Sequence, residues 1–252
     1  MKNIDTLFEE IRYSPAFIQL NHPDLTFEGI HEAIVRGKRK GQDKYCIAVG
    51  ILGIMDRNLK PHEASIVNDF IMSNSSSIIG MDLANDELLF DSKPFADYFR
   101  NAKRKGFHIT VHAGESLVNN KYAENVKEAI DLLGAERIGH GIAISLNQDI
   151  LNYVNKNNVV LEVCPSSNYL IGAVDSLSKH PIRKLVDSNV KVCISTDDPG
   201  VFGQLTLPNE FDVLNKHLNF TQEEIEQCNK IAIEASFVSL QDKERALQGK
   251  FV

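Results

Sequence analysis

This sequence predicts an α/β protein built on a parallel sheet, and two observations carry that expectation. Short, continuously apolar runs rich in β-branched residues recur along the chain, as strands covered on both faces require. Helical patterns fall between these runs, giving the βα alternation of a parallel sheet. The strand candidates are Leu7–Tyr13, Tyr45–Ile54, Ile78–Asp82, His108–His112, Arg137–Gly139, Val159–Val163 and Val190–Ser195. They number seven, one short of a closed eight-stranded barrel. Alternation alone does not separate a barrel from a doubly wound open sheet.

The intervening helices carry their own start and stop signals. Thr26 suits an N-cap for a helix in which Phe27, Ile30, Ala33 and Ile34 share a face. Pro61 fits the first turn of Pro61–Met72, and Phe95–Lys105 ends before Gly106. Glu124–Leu133 stops at Gly134; Asp149–Asn155 and Pro181–Ser188 follow. Thr221 and Glu224 form a capping box that opens a helix running toward Phe237. No repeat, low-complexity segment or linker interrupts the series, so residues 1–252 read as a single domain.

Composition removes several classes of function. At 252 residues the chain can bury one large core, and its 43% hydrophobic and 24% charged residues are ordinary for a globular protein. A net charge of -7 argues against a general nucleic-acid or anionic-membrane surface. No apolar stretch approaches the ~20 residues of a membrane span. Cys46, Cys164, Cys193 and Cys228 are widely spaced, which suggests reduced thiols and a cytoplasmic home. The first, second and third of these lie in apolar strand-like runs, where packing is the favoured reading.

Three short motifs then stand at strand ends. His112-Ala113-Gly114-Glu115 closes the fourth strand candidate, where a barrel would place catalytic groups. An imidazole there can ligate zinc, and Gly114 permits a tight turn that returns Glu115 to the same end of the sheet. His140 sits between Gly139 and Gly141 after the fifth candidate. Asp197 and Asp198 follow the buried pattern of the last strand. Adjacent carboxylates in such a place are costly unless one meets a cation, which Asp197 as a metal ligand would resolve. Pro199 and Gly200 then turn the chain away; alone, Asp-Asp-Pro-Gly would read as a surface turn. His108 shares a strand face with His112 but lies roughly 13 Å from it, too far to share a metal, so it reads as packing.

Taken together, these motifs resemble the adenosine deaminase family of amidohydrolase-like barrels. The resemblance covers essentially the whole chain, from Glu10-Ile11-Arg12-Tyr13-Ser14-Pro15 onward, and decides for a TIM-type (β/α) barrel. The family carries a His-x-His metal-binding pair on its first strand, and no His-x-His occurs here. The resemblance therefore implies an incomplete barrel with strands 2 to 8 present, and an N-terminally truncated chain. Open edges on the strands beside the missing one would invite self-association.

The implied reaction is hydrolytic deamination of adenosine or 2′-deoxyadenosine to the inosine nucleoside plus ammonia, by a zinc-activated hydroxide. Carried over by motif, His112 and Asp197 are zinc ligands and Glu115 protonates the purine ring. His140 and Asp198 orient the hydroxide and move its proton, and Asp198 also faces the substrate. Gly80-Met81-Asp82-Leu83-Ala84-Asn85-Asp86-Glu87 resembles the purine-contacting segment, with Asn85 where the family has glycine. Leu161–Asn168 matches a family strand and loop that shapes the site. His22, His31, His62, His180 and His217 read as none of the ligands. With two family ligands absent, the expectation for this chain alone is impaired or absent turnover. The alternatives are a non-catalytic purine-binding or interaction remnant, and a deaminase of adenine or another adenosine-like substrate.

Overall fold

A computed structural model describes residues 7–203 and 205–248. Its elements run β1 (Phe8–Tyr13), α1 (Pro15–Asn21), α2 (Phe27–Tyr45), β2 (Ala48–Asp56), α3 (Pro61–Ser73), β3 (Gly80–Ala84), α4 (Ala96–Arg104) and β4 (His108–Ala113). They continue with α5 (Lys121–Glu128), β5 (Arg137–His140), α6 (Gln148–Lys156), β6 (Val160–Val163), α7 (Pro165–Leu170), α8 (Ile182–Asp187) and β7 (Val192–Ile194). Helices α9 (Leu207–Leu218), α10 (Gln222–Ala235) and α11 (Leu240–Leu247) end the series. Every strand pairs in parallel with the next one in chain order. This is the connectivity of an incomplete TIM-type barrel, and each expected strand is present.

The chain forms two compact units. The first takes in the chain up to Asp86, Phe95–Ile109 and the segment from Ser236 onward. Here β2 is nearly continuous core, with Ala48, Ile51, Leu52 and Met55 fully buried. Glu10 on β1 accepts hydrogen bonds from the Ser236 hydroxyl (2.8 Å) and the Phe237 N–H (2.5 Å), which anchors the segment ahead of α11. His108 stacks on the Phe237 ring at 4.4 Å, so it packs as expected. Thr26 caps α2 by accepting from the Gly29 N–H at 3.1 Å.

One boundary differs from expectation for a clear reason. Helix α2 continues to Tyr45 and is closed by Cys46 in the left-handed conformation (φ 55°), its N–H donating to the Gln42 carbonyl. Strand β2 therefore starts at Ala48, and Cys46 is a half-buried helix cap, not a strand-packing thiol. The polar run from Arg36 to Lys44 hid the end of this helix, because most of it faces solvent.

The second unit comprises Glu87–Pro94 and Thr110–Ala235. All residues of β5, β6 and β7 are buried. Across β4, β5 and β6, Arg137 Nε lies 2.7 Å from Glu162 Oε1, while the Thr110 hydroxyl donates to Glu162 Oε2 at 3.1 Å. Arg137 also donates to the Ala235 carbonyl at 3.0 Å, tying α10 to the same network. The capping box at the start of α10 is reciprocal: Thr221 N–H donates to Glu224 Oε2 (2.9 Å) and Glu224 N–H to Thr221 Oγ (3.3 Å). The helix expected to stop at Gly134 does so, its last turn widened into a π-helix over Ala129–Leu133. Among the described residues, no helix is long and apolar enough to cross a membrane.

Candidate active site at the ends of β4, β5 and β7

His112 is the penultimate residue of β4, in register with Gly139 on β5. That glycine makes room for the imidazole, since a Cβ there would lie 3.2 Å from His112 Cγ and 3.3 Å from Nδ1. Gly114 then turns the chain with φ 72°, where a Cβ would meet Val126 Cγ2 at 2.6 Å. The turn is held from outside by the buried carboxylate of Glu87. Its Oε2 accepts the Gly114 N–H and its Oε1 the Glu115 N–H, each at 2.9 Å. The Asn125 side-chain amide donates to the same Oε2 at 2.9 Å. The backbone of Glu115 is thus fixed by a two-oxygen clamp.

His140 ends β5 with φ 64°, and Asp197, past β7, has φ 58°. Left-handed conformations cost free energy for non-glycine residues and cluster at functional sites. The His140 ring faces that of His112 with centroids 5.3 Å apart. Its Nε2 lies 3.4 Å from Glu115 Oε1 and 3.9 Å from Asp197 Oδ2. The Ser167 hydroxyl, at the start of α7, donates to Asp197 Oδ2 at 2.6 Å. Behind it, the Ser166 N–H donates to the fully buried Glu210, whose pKa is raised chiefly by burial. Asp198 reaches solvent, yet partial burial and then the adjacent Asp197 charge hold its pKa above the usual carboxylate range. The His112 and His140 rings act in the opposite sense.

Ligand atoms of His112, His140 and Asp197 all lie within 4.8 Å of one another. Within that span the His112 imidazole and the Asp197 carboxylate are donors that suit zinc, so the residues present fit the metal implied by the motifs. Such a constellation at strand ends, with a clamped glutamate beside it, is equipped for metal-assisted hydrolysis.

The pattern of the adenosine deaminase family matches residues 2–250. The chain belongs to the adenosine deaminase family. A relative named adenosine deaminase from Plasmodium knowlesi is 39% identical over 242 residues, covering 94% of this chain and 64% of that protein. The chain thus spans just under two thirds of that relative's length. The solved adenine deaminase of Arthrobacter aurescens is 26% identical with a TM-score of 0.86, covering 96% of this chain and 72% of its own. An amidohydrolase from Burkholderia ambifaria with bound Zn has a TM-score of 0.84 at 24% identity, covering 97% of this chain and 66% of its own, a likeness of fold.

Of the residues expected from the deaminase motifs, His112, Glu115, His140, Asp197 and Asp198 come together in the second unit. Asn85 lies in the first unit, exposed, with φ 86°. Asparagine is among the few non-glycine residues that adopt a positive φ readily. Its side chain accepts from the Asp86 N–H at 2.8 Å and also bonds Asp56.

Sequence reasoning overlooked the supports. Glu87 ends the purine-segment motif, and Ser167 and Asn168 sit in the segment read only as shaping the site. His180 looked like a loop histidine; its place two residues before α8 was the available signal, because first-turn N–H groups need acceptors.

Proposed function

We propose that this chain hydrolytically deaminates adenosine and 2′-deoxyadenosine, releasing ammonia and the inosine nucleoside. The observation that carries the reading is the gathering of Glu115, His140 and Asp197 around His112 in a member of this family. His112 and Asp197 would hold zinc, which when bound lowers the pKa of water toward neutrality.

The remaining steps fall to the chain's own groups. Glu115, its backbone fixed by Glu87, donates a proton to ring N1 as attack at C6 breaks aromaticity. Asp198 takes the proton of the attacking water, while His140 orients that water and steadies the charge developing on its oxygen. That proton then leaves with the amino group as ammonia, while the C6 hydroxyl gives its proton back to Glu115 as the carbonyl forms. Zinc sites usually hold at least three protein ligands, so a site resting on His112 and Asp197 binds zinc weakly and turns over slowly.

The test is chromatographic detection of product during long incubations of zinc-supplemented protein with adenosine, beside Glu115→Gln. Inosine that accumulates slowly in the wild type and is absent in the variant is the expected result. Product from neither adenosine nor adenine, or product that persists in Glu115→Gln, overturns the reading. The likeness to the Arthrobacter adenine deaminase favours one second reading, with adenine as substrate. Hypoxanthine from adenine, without inosine from adenosine, selects it.

A further inference from the structure

A buried chain of hydrogen bonds in the second unit begins at a backbone donor and ends at His140. The Ile182 N–H, first in α8, points at His180 Nδ1 (3.2 Å). His180 Nε2 lies 3.1 Å from Asn168 Oδ1, and Asn168 Nδ2 lies 3.2 Å from His140 Nδ1. His140, Asn168 and His180 are 2%, 0% and 2% exposed, so their polar atoms satisfy one another. We propose that Asn168 and His180 are positioning residues that fix His140 as its Nε2–H tautomer, making it a hydrogen-bond donor to the site and not a metal ligand.

The argument is one of direction. A backbone N–H can only donate, so His180 Nδ1 must accept and its ring proton sits on Nε2. Burial, with His140 nearby, pushes the His180 pKa down to about 3, which keeps the ring neutral. Nε2–H then requires an acceptor, which orients Asn168 with its oxygen toward His180 and its NH2 toward His140. His140 Nδ1 receives that NH2, and a neutral His140 carries its proton on Nε2. Reversing the amide would present NH2 to His180 Nε2 and force a proton onto Nδ1, against the Ile182 N–H. An independent observation agrees: His140 Nε2 faces Glu115 Oε1 at 3.4 Å and Asp197 Oδ2 at 3.9 Å, two acceptors that suit a donor. With one nitrogen protonated and the other engaged, His140 leaves the ligand trio, and His112 and Asp197 remain.

The tautomer is a property of the fold; only its catalytic meaning rests on the deaminase reading. The experiment is a long-range 1H–15N correlation spectrum of the full chain, metal-free and 15N-histidine-labelled. It is recorded about two pH units above the ordinary histidine pKa of ~6.5. Signals of His140 are identified by their loss in His140→Gln. The expected wild-type pattern is one tautomer, with a protonated Nε2 and a bare Nδ1. In Asn168→Asp the carboxylate accepts from both rings, so His140 switches to Nδ1–H while His180 keeps Nε2–H. In Asn168→Ala, His140 becomes a mixture of tautomers. Adding zinc moves the His112 signals and leaves the His140 Nε2 proton in place. A wild-type His140 protonated on Nδ1, or already mixed, overturns the proposal, as does an unchanged His140 in folded Asn168→Asp. The wild-type spectrum decides alone if a variant fails to fold. No readout involves turnover, so an inactive chain with the expected spectrum separates this proposal from the deaminase reading.

Discussion

Glu162→Ala tests what holds β4, β5 and β6 together beneath the site. Glu162 and Arg137 each have only 6% of their side chain exposed, with Nε and Oε1 2.7 Å apart, and Thr110 bonds the second carboxylate oxygen. Removing the carboxylate leaves a buried guanidinium without its counter-charge, a change that typically costs about 3–5 kcal/mol. For a chain of this size each kcal/mol moves the melting temperature by roughly 2–4 °C, so Tm falls by about 6–20 °C. Urea titration followed by circular dichroism reads the loss as a lower midpoint at unchanged slope. The pair Arg137→Met/Glu162→Leu removes both charges and fills similar volume, and it restores much of the loss. Recovery stays incomplete because Arg137 also holds the Ala235 carbonyl. A loss under about 1 kcal/mol in Glu162→Ala, or a double variant as unstable as the summed singles, would refute the reasoning.

Two further outcomes follow from the site. His180 has its pKa lowered to about 3 by burial, so the unfolded chain binds a proton there that the folded chain rejects. Its contribution to stability is complete above pH ~6.5 and is lost as pH falls toward 3, by at most about 1.4 kcal/mol per pH unit. His180→Asn flattens the stability profile between pH 7 and 4 by that one proton, and profiles that stay parallel to wild type contradict this. Glu87→Gln turns an NH2 toward a backbone N–H that now meets an oxygen, and it destabilises the fold by about 1–3 kcal/mol. Its denaturation midpoint checks this, and an unchanged midpoint would mean that the clamp on Gly114 and Glu115 contributes nothing.

Strand-level organisation was legible because β5, β6 and β7 are buried on both faces and so read as unbroken apolar runs. Two helix starts with capping residues were legible, at Thr26 and at the Thr221–Glu224 pair, whereas the twelve-residue α9 was missed although Thr206 and Asn209 cap it. The end of α2 was not, since its polar surface left no period and its stop is a left-handed cysteine instead of a glycine. Short helices such as α1 and α7 were missed because six or seven residues carry too little pattern. In the site, His112, Glu115, His140, Asp197 and Asp198 were found from motifs at strand ends. Glu87, Ser167, Asn168 and His180 were not, because they act through neighbours brought close by folding. Asn168 and His180 are a distinct case: each is an ordinary polar residue in sequence, and the bond between them has meaning only through its direction.

The most direct test of this account is zinc bound per chain, by elemental analysis of dialysed protein, with adenosine turnover on the same samples. Wild-type protein should take up zinc when it is in excess, His112→Ala and Asp197→Asn should lose it, and His140→Gln should keep it. Inosine should form only in the zinc-loaded wild type. Zinc retained after loss of His112 or Asp197, or inosine formed by zinc-free protein, would contradict the account.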